Sequence, residues 1–450
     1  MNLSDRLIHS EQERLKMISR DEYDNYIAIL RDELVPAMGC TEPIAIAYAA
    51  AKARSVLGEN VSHLHVSCSG NIIKNVKGVI VPNSGGQKGI EAAAILGAVG
   101  GNEDKELEVI SCADDEARRL TKKLVREDFC DVSLAEDVPN LFIEVEATGH
   151  EHKTSVRIEN HHTRITRIMR DGKIIFESEP DKNESHEENH PDDKNMMKLK
   201  TILEFADSLD VDDVRDIFDR QIEFNTRISQ EGLDNRWGAR VGKTILEFWG
   251  KNVRSYACAR AAAGSDARMS GCPMPVIINS GSGNQGITVT MPVITYAEEW
   301  CLSREKLYRA LAVSNLVSIY IKQYIGSLSA FCGAVSASCG AGAAITFMAG
   351  GDYAAVARTI TNTLANVGGI VCDGAKPSCA AKIASSVQAA ILAHYMSMND
   401  DMFRGGEGFV EDDVEETIKN MGYIGKIGMK ETDREILNVM IDRVDVDSCV

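Results

Sequence analysis

The stretch Lys153–Glu177, KTSVRIENHHTRITRIMRDGKIIFE, decides the fold class. Val, Ile, Thr and Phe recur in it at alternate positions, which suits half-buried strands and not a helix. Asp171-Gly172 sits between ITRIM and KIIFE, the signature of a tight hairpin turn. Upstream, LFIEVEATG (141–149) and LEVISC (107–112) carry the same strand signal, and DDEARRLTKKLVRE (114–127) between them reads as a helix. Residues 106–177 are therefore predicted to form a small α+β domain.

Beyond Glu177 the composition changes twice. Residues 178–194, SEPDKNESHEENHPDDK, are acidic and nearly free of apolar side chains, as a solvated linker over 178–195 would be. From 196 to 450 the chain is predicted mostly helical, with SYACARAAAGSDARMSG (255–271), SASCGAGAAITF (336–347) and CAAKIASSVQAAILAHY (379–395) rich enough in Ala, Gly and Ser for close helix approach. Residues 1–105 read as the N-terminal part of the same core. Residues 1–57 are helical with a break at PAMGCTEP (36–43), 61–82 are extended, and a helix over 90–101 follows the turn NSGGQKG. The expected class is α+β: a mainly helical, Ala/Gly-rich core with a smaller α+β domain in the N-terminal half.

A net charge of −18 over 450 residues argues against a nucleic-acid partner, which would need a clustered positive field. A small zwitterionic substrate is not excluded. The first residues lack an apolar signal region, and no stretch gives about 20 clean apolar residues, so neither secretion nor a membrane span is expected. A cytoplasmic location follows as the expectation, and an assembly of two copies is compatible with it.

Twelve cysteines in such a chain point to metal binding or catalysis before disulfides. Three stand in distinctive contexts: Cys332 opens CGAVSASCGAG, and Cys372 and Cys379 flank the loop CDGAKPSC. Three thiolates suit a 4Fe–4S cluster that keeps one iron free as a Lewis acid. Two other readings stay open on spacing alone. Cys339, seven residues after Cys332, could complete a zinc site with the three, although structural zinc pairs have shorter spacing. All of them could also be buried core cysteines.

GCTEP (39–43), SGNIIKN (69–75), INSGSGNQG (278–286), CGAVSASCGAG (332–342) and GGIVCDGAKPSCAAKI (368–383) resemble the L-cysteine desulfidase family, which is similar to the alpha subunits of serine dehydratases. The resemblance covers about residues 20 to 440. It implies a 4Fe–4S cluster held by Cys332, Cys372 and Cys379, and conversion of L-cysteine to pyruvate, ammonia and sulfide. Related iron–sulfur L-serine dehydratases show the same order of three cysteines with a longer last interval. They also place a C-terminal cysteine on the free iron, a position that would fall here on Cys449.

Other groups fit an amino-acid site. Cys40 precedes a helix start, whose positive end is expected to lower its thiol pKa; it is a candidate base or a displaceable fourth ligand, against a buried cap cysteine. Glu42 could orient the substrate ammonium or merely compensate the helix terminus. Ser69, Asn71, Lys74 and Asn75 follow a strand, and their amides and cation could clamp a carboxylate, with Lys74 as a second candidate base or a plain surface lysine. Asn279, Ser280, Ser282 and Asn284 belong to a Gly-rich loop whose amides could make an anion nest. Asp373 and Lys376 lie inside the cysteine loop and could tune it or cap its turn. Three alternatives accompany the desulfidase reading. One is L-serine dehydration by the same chemistry. Another is a pyridoxal-phosphate lyase, which would need a Schiff-base lysine and a βαβ series. The third is an iron–sulfur sensor, which would not need the Asn-rich loops.

Overall fold

The computed structural model describes residues 18–178, 193–326 and 328–444. Cys449 and nearly all of the acidic linker lie outside them. Helix α1 (Arg20–Glu33) starts where Ser19 and Glu22 close a capping box, each side chain accepting the other's amide at 3.2 Å. Strand β1 (Pro36–Met38) leads to α2 (Thr41–Leu57), buried on almost every side of its first three turns. Then come strand β2 (His63–Cys68), α3 (Gly70–Val76), α4 (Gly89–Gly100), a 3-10 segment (Glu103–Glu108) and α5 (Asp115–Leu124). Strands β3 (Cys130–Leu134), β4 (Phe142–Thr148), β5 (Lys153–Glu159), β6 (Ile165–Arg170) and β7 (Lys173–Glu177) follow.

The six-stranded sheet has the order β3-β2-β4-β5-β6-β7. The β2–β3 pair is parallel and the other neighbours are antiparallel. A parallel pair needs a long crossover, and helices α3 to α5 supply it. One face presents Leu64, Val66, Val145, Ala147, Val156 and Ile158, all fully buried, and Thr154 Oγ1 ties it to α2 by donating to the Ala53 carbonyl at 3.0 Å. The hairpin turn is where the sequence placed it: Asp171 and Gly172 both have positive φ, at 51° and 76°.

The rest is helical: α6 (Leu199–Ser208), α7 (Arg215–Asp234), α8 (Val241–Phe248), α9 (Val253–Met269), then strand β8 (Pro275–Ile277), α10 (Gly283–Glu299), α11 (Arg304–Ile325), α12 (Gly333–Met348), α13 (Tyr353–Val367), α14 (Cys379–Met398), α15 (Val414–Tyr423) and α16 (Lys430–Met440). Small residues bring these helices together as expected. A Cβ on Gly340 of α12 would stand 2.2 Å from the Ser314 carbonyl of α11, so only glycine allows that approach. No described helix is long and apolar enough to cross a membrane. The class is α+β, as expected.

Two local expectations are corrected. The extended reading of 61–82 holds only to Cys68. Ser69 then stands at the cap position of α3, which buries Ile72 and Val76 one helical turn apart. LEVISC is not a strand: Leu107, Val109 and Ile110 are buried within a 3-10 segment and the turns after it, a pattern that a flat strand cannot give. The sheet also takes β2 from ahead of residue 106, so the α+β unit draws on both sides of that position.

Candidate functional site

Two short pairings assemble the site. In the first, β1 runs antiparallel to β8, with Pro36 opposite Ile277 and Met38 opposite Pro275. The Ile278 amide extends it by donating to the Val35 carbonyl at 3.0 Å. The GCTEP segment is thereby laid beside the loop 279–282, and Thr41 Oγ1 donates to the Gly281 carbonyl at 2.9 Å. In the second, Phe331 faces Val371 in an isolated antiparallel bridge. The Cys332 amide donates to the Ile370 carbonyl at 2.9 Å and the Cys372 amide to the Ala330 carbonyl at 2.6 Å. Cys332 caps α12 and Cys379 opens α14. Gly374 bends the loop between the last two cysteines at φ +90°, where a Cβ would stand 2.2 Å from the Lys74 carbonyl.

Cys332, Cys372 and Cys379 open on one cavity of about 410 Å³, together with Cys40, Glu42 and Arg268. The Cys332 and Cys372 thiols are in hydrogen-bond contact. The bond to Cys372 and burial hold the Cys332 thiol well above the ordinary range. Cys372 is held low as a thiolate by the same bond; burial opposes this, and the Lys74 and Lys322 charges favour it. Lys322, buried on α11, has its ammonium pushed down to about 8 by burial, against the pull of the Cys372 and Cys332 charges. Cys339 is fully buried and only burial acts on its thiol, so it does not join the other three. Among the described residues, no three His, Cys, Asp or Glu side chains converge on a single ion position.

On the same cavity, Cys40 donates from Sγ to Glu42 Oε2 at 2.9 Å, Thr41 Oγ1 lies 3.1 Å from the same oxygen, and Asn75 Nδ2 donates to Oε1 at 3.0 Å. Burial works against the Glu42 carboxylate, but His162, the Cys40 bond and Arg268 outweigh it and hold it below the usual range. The expectation of an acidified Cys40 is corrected: burial and the adjacent Glu42 charge push that thiol well up, and the helix start is too weak to offset them.

The remaining predicted residues divide. Ser280, Ser282 and Asn284 line the cavity, and Asn284 Oδ1 is buried without a partner. Asn279 is fully buried in a polar network, accepting from Ser318 Oγ at 2.9 Å and donating to Asn315 Oδ1 at 3.0 Å. Ser69 Oγ donates to the Asn140 carbonyl at 2.6 Å and Asn71 Nδ2 reaches Asn140 Oδ1 at 3.5 Å, so both tie α3 to the β3–β4 connection. Lys74 is buried but ion-paired with Asp433 of α16. Lys376 and Lys382 both pair with Asp373, bracing the cysteine loop.

Three wall residues escaped the sequence reading: Arg268, Lys322 and His162. Arg268 is 2% exposed, yet its Nε and Nη2 have no partner. Its guanidinium lies over Gly283 at the start of α10, where a Cβ would stand 2.4 Å from Nε. A buried guanidinium beside a helix N-terminus makes an electropositive spot of the kind that binds anions.

The family model described as serine dehydratase alpha chain matches residues 104–438. A UPF0597 protein of Desulfitobacterium hafniense is 49% identical over 422 residues, covering 94% of this chain and 97% of that one. One from Finegoldia magna is 48% identical over 420 residues, covering 93% and 100%, and one from Treponema denticola 45% over 429 residues, covering 94% and 99%. The motif resemblance and these matches converge, and the chain belongs to the serine dehydratase alpha chain family.

Proposed function

We propose that the protein is an iron–sulfur-dependent lyase that removes the β-substituent of a small α-amino acid, L-cysteine in the first reading. The observation that carries this is one cavity lined by Cys332, Cys372 and Cys379 together with Glu42 and the buried Arg268, whose Nε and Nη2 have no partner.

The donor set fits a 4Fe–4S cluster. Three cysteines come from two braced loops, and the buried ammonium of Lys322 stands beside them. When bound, a cluster with one iron free of protein sulfur supplies a Lewis acid for the β-substituent.

The chain's own residues do the rest. Glu42, kept ionised and oriented by Asn75 and Cys40, receives the substrate ammonium. Arg268 and the free amides at the start of α10 hold the carboxylate and favour charge that spreads onto it as the α-proton leaves. The product, 2-aminoacrylate, hydrolyses in water to pyruvate and ammonia.

L-serine is the second reading, favoured by the matched family's description. Anaerobic reconstitution is expected to yield about four irons per chain, with sulfide and pyruvate released from L-cysteine in equal amounts. Pyruvate from L-serine alone selects the second reading. A fully active protein without iron overturns both.

A further inference from the structure

One wall group comes from the sheet. The β5–β6 connection hangs over the loop 279–282, and the His162 ring lies against Gly281, where a Cβ would stand 3.3 Å from His162 Cε1. Its Nε2 is buried and has no hydrogen-bond partner, although the residue lines the cavity. Buried ring nitrogens are nearly always bonded. One left open at a cavity of this size is placed to meet something that enters it.

The charged groups around this ring are Glu42 from α2, Arg268 from α9 and His161 beside it. Burial holds the imidazole below its usual range; Glu42 opposes this, and His161 and Arg268 add to it. With its one proton on Nδ1, the imidazole turns a lone pair at Nε2 toward the cavity. The other basic groups are engaged. Cys40 keeps its proton in a bond to Glu42, Lys74 is paired with Asp433, and Lys322 serves the cysteine side.

We propose, resting on the elimination reading above, that His162 is the catalytic residue that takes the α-proton of the bound amino acid. The Cα–H bond breaks and an N–H bond forms at Nε2. The freed electron pair becomes the Cα–Cβ π bond, while the Cβ–S bond breaks and hydrosulfide leaves with its electrons. Glu42 faces the imidazolium that results. The proton passes to solvent before the next turnover, so atoms and charge balance.

The sheet thus takes part in the chemistry: the hairpin delivers the base, and its seating on Gly281 sets where the base points. The test uses the reconstituted protein and, for binding, the cluster-free protein, with four readouts. His162→Gln is expected to lower kcat roughly 100-fold or more, with KM within about threefold of the parent and iron content unchanged. It should also stop exchange of the α-proton of L-alanine, which lacks a leaving group, in deuterium oxide. Binding of L-alanine to the cluster-free protein should persist in the variant. A kcat within about threefold of the parent, or surviving α-proton exchange, overturns the assignment. So does loss of L-alanine binding in step with kcat, which would make His162 a positioning residue. A parent protein that carries the cluster and turns over neither L-cysteine nor L-serine removes the elimination reading, and this inference with it.

Discussion

Arg268 shows how much a single side chain is held back for function. An unpaired buried guanidinium is costly, and removing it relieves that cost. Arg268→Met is expected to abolish L-alanine binding while leaving stability unchanged or raised by about 1 kcal/mol; calorimetry and urea unfolding check the two halves. In sequence, Arg268 was invisible because SDARMSG reads as a polar helix end, and nothing there shows that the side chain is buried. His162 was hidden for the opposite reason: ENHHTR breaks the strand alternation and so reads only as a connection. Cys332, Cys372 and Cys379 were legible because Gly-rich, loop-forming contexts set them apart from the other nine. Glu42 was legible beside Cys40, although the direction of the Cys40 shift was not, since burial cannot be counted from GCTEP alone. A second buried imidazole makes a prediction about pH. His394, on α14, accepts no exposed partner; burial pushes it down to about 4, and it shares a 3.0 Å bond with Thr346 Oγ1. Its unfolded form gains a proton below its usual 6.5 while the folded form does not. Stability is therefore full above that value and falls as the pH drops toward 4. Between pH 7 and 5 the loss should reach about 2 kcal/mol, and His394→Gln should flatten that slope in urea titrations.

At the scale of elements, the cysteine loop depends on backbone geometry as much as on sulfur. Gly374 holds a left-handed φ and its missing Cβ makes room for the Lys74 carbonyl of α3. Gly374→Ala is therefore expected to cut iron uptake to less than half on anaerobic reconstitution, with all three cysteines intact; uptake equal to the parent would show that the loop can shift without harm. The same contact explains why SGNIIKN stood out in the sequence. Part of that motif lies on the wall at Asn75, and part of it is the floor on which the cysteine loop rests. Its helical form was missed because Ile72, Ile73 and Val76 follow an alternating strand, and only the cap at Ser69 marks the change of period. The hairpin at Asp171-Gly172 was read correctly because its two residues adopt the positive φ that such a turn needs.

For the molecule as a whole, the contact between α3 and α16 closes the chain on itself. Lys74 pairs with Asp433, Lys77 Nζ donates to the Met440 carbonyl, and a Cβ at Gly70 would stand 2.4 Å from Leu437. Lys74→Ala leaves Asp433 without its partner and should cost about 3–5 kcal/mol, read as a lower urea midpoint. Lys74→Met combined with Asp433→Leu should recover most of it. If Lys74→Ala instead leaves the midpoint untouched and removes turnover, the lysine belongs to the chemistry. The overall class was legible from residues 141–177 and the Ala/Gly-rich half, because both signals are local. The membership of β2 in the sheet was not, since a parallel pairing across a crossover leaves no mark in either strand. The cavity shares that non-local character. Its wall runs from Cys40 to Cys379, with two small pairings, β1–β8 and Phe331–Val371, drawing the ends together. A ribosome must therefore have released the chain beyond Cys379 before any pocket exists to be filled. On the proposed reading, loading with iron then follows translation, and a polypeptide truncated before α14 would offer an iron donor two of the three cysteines.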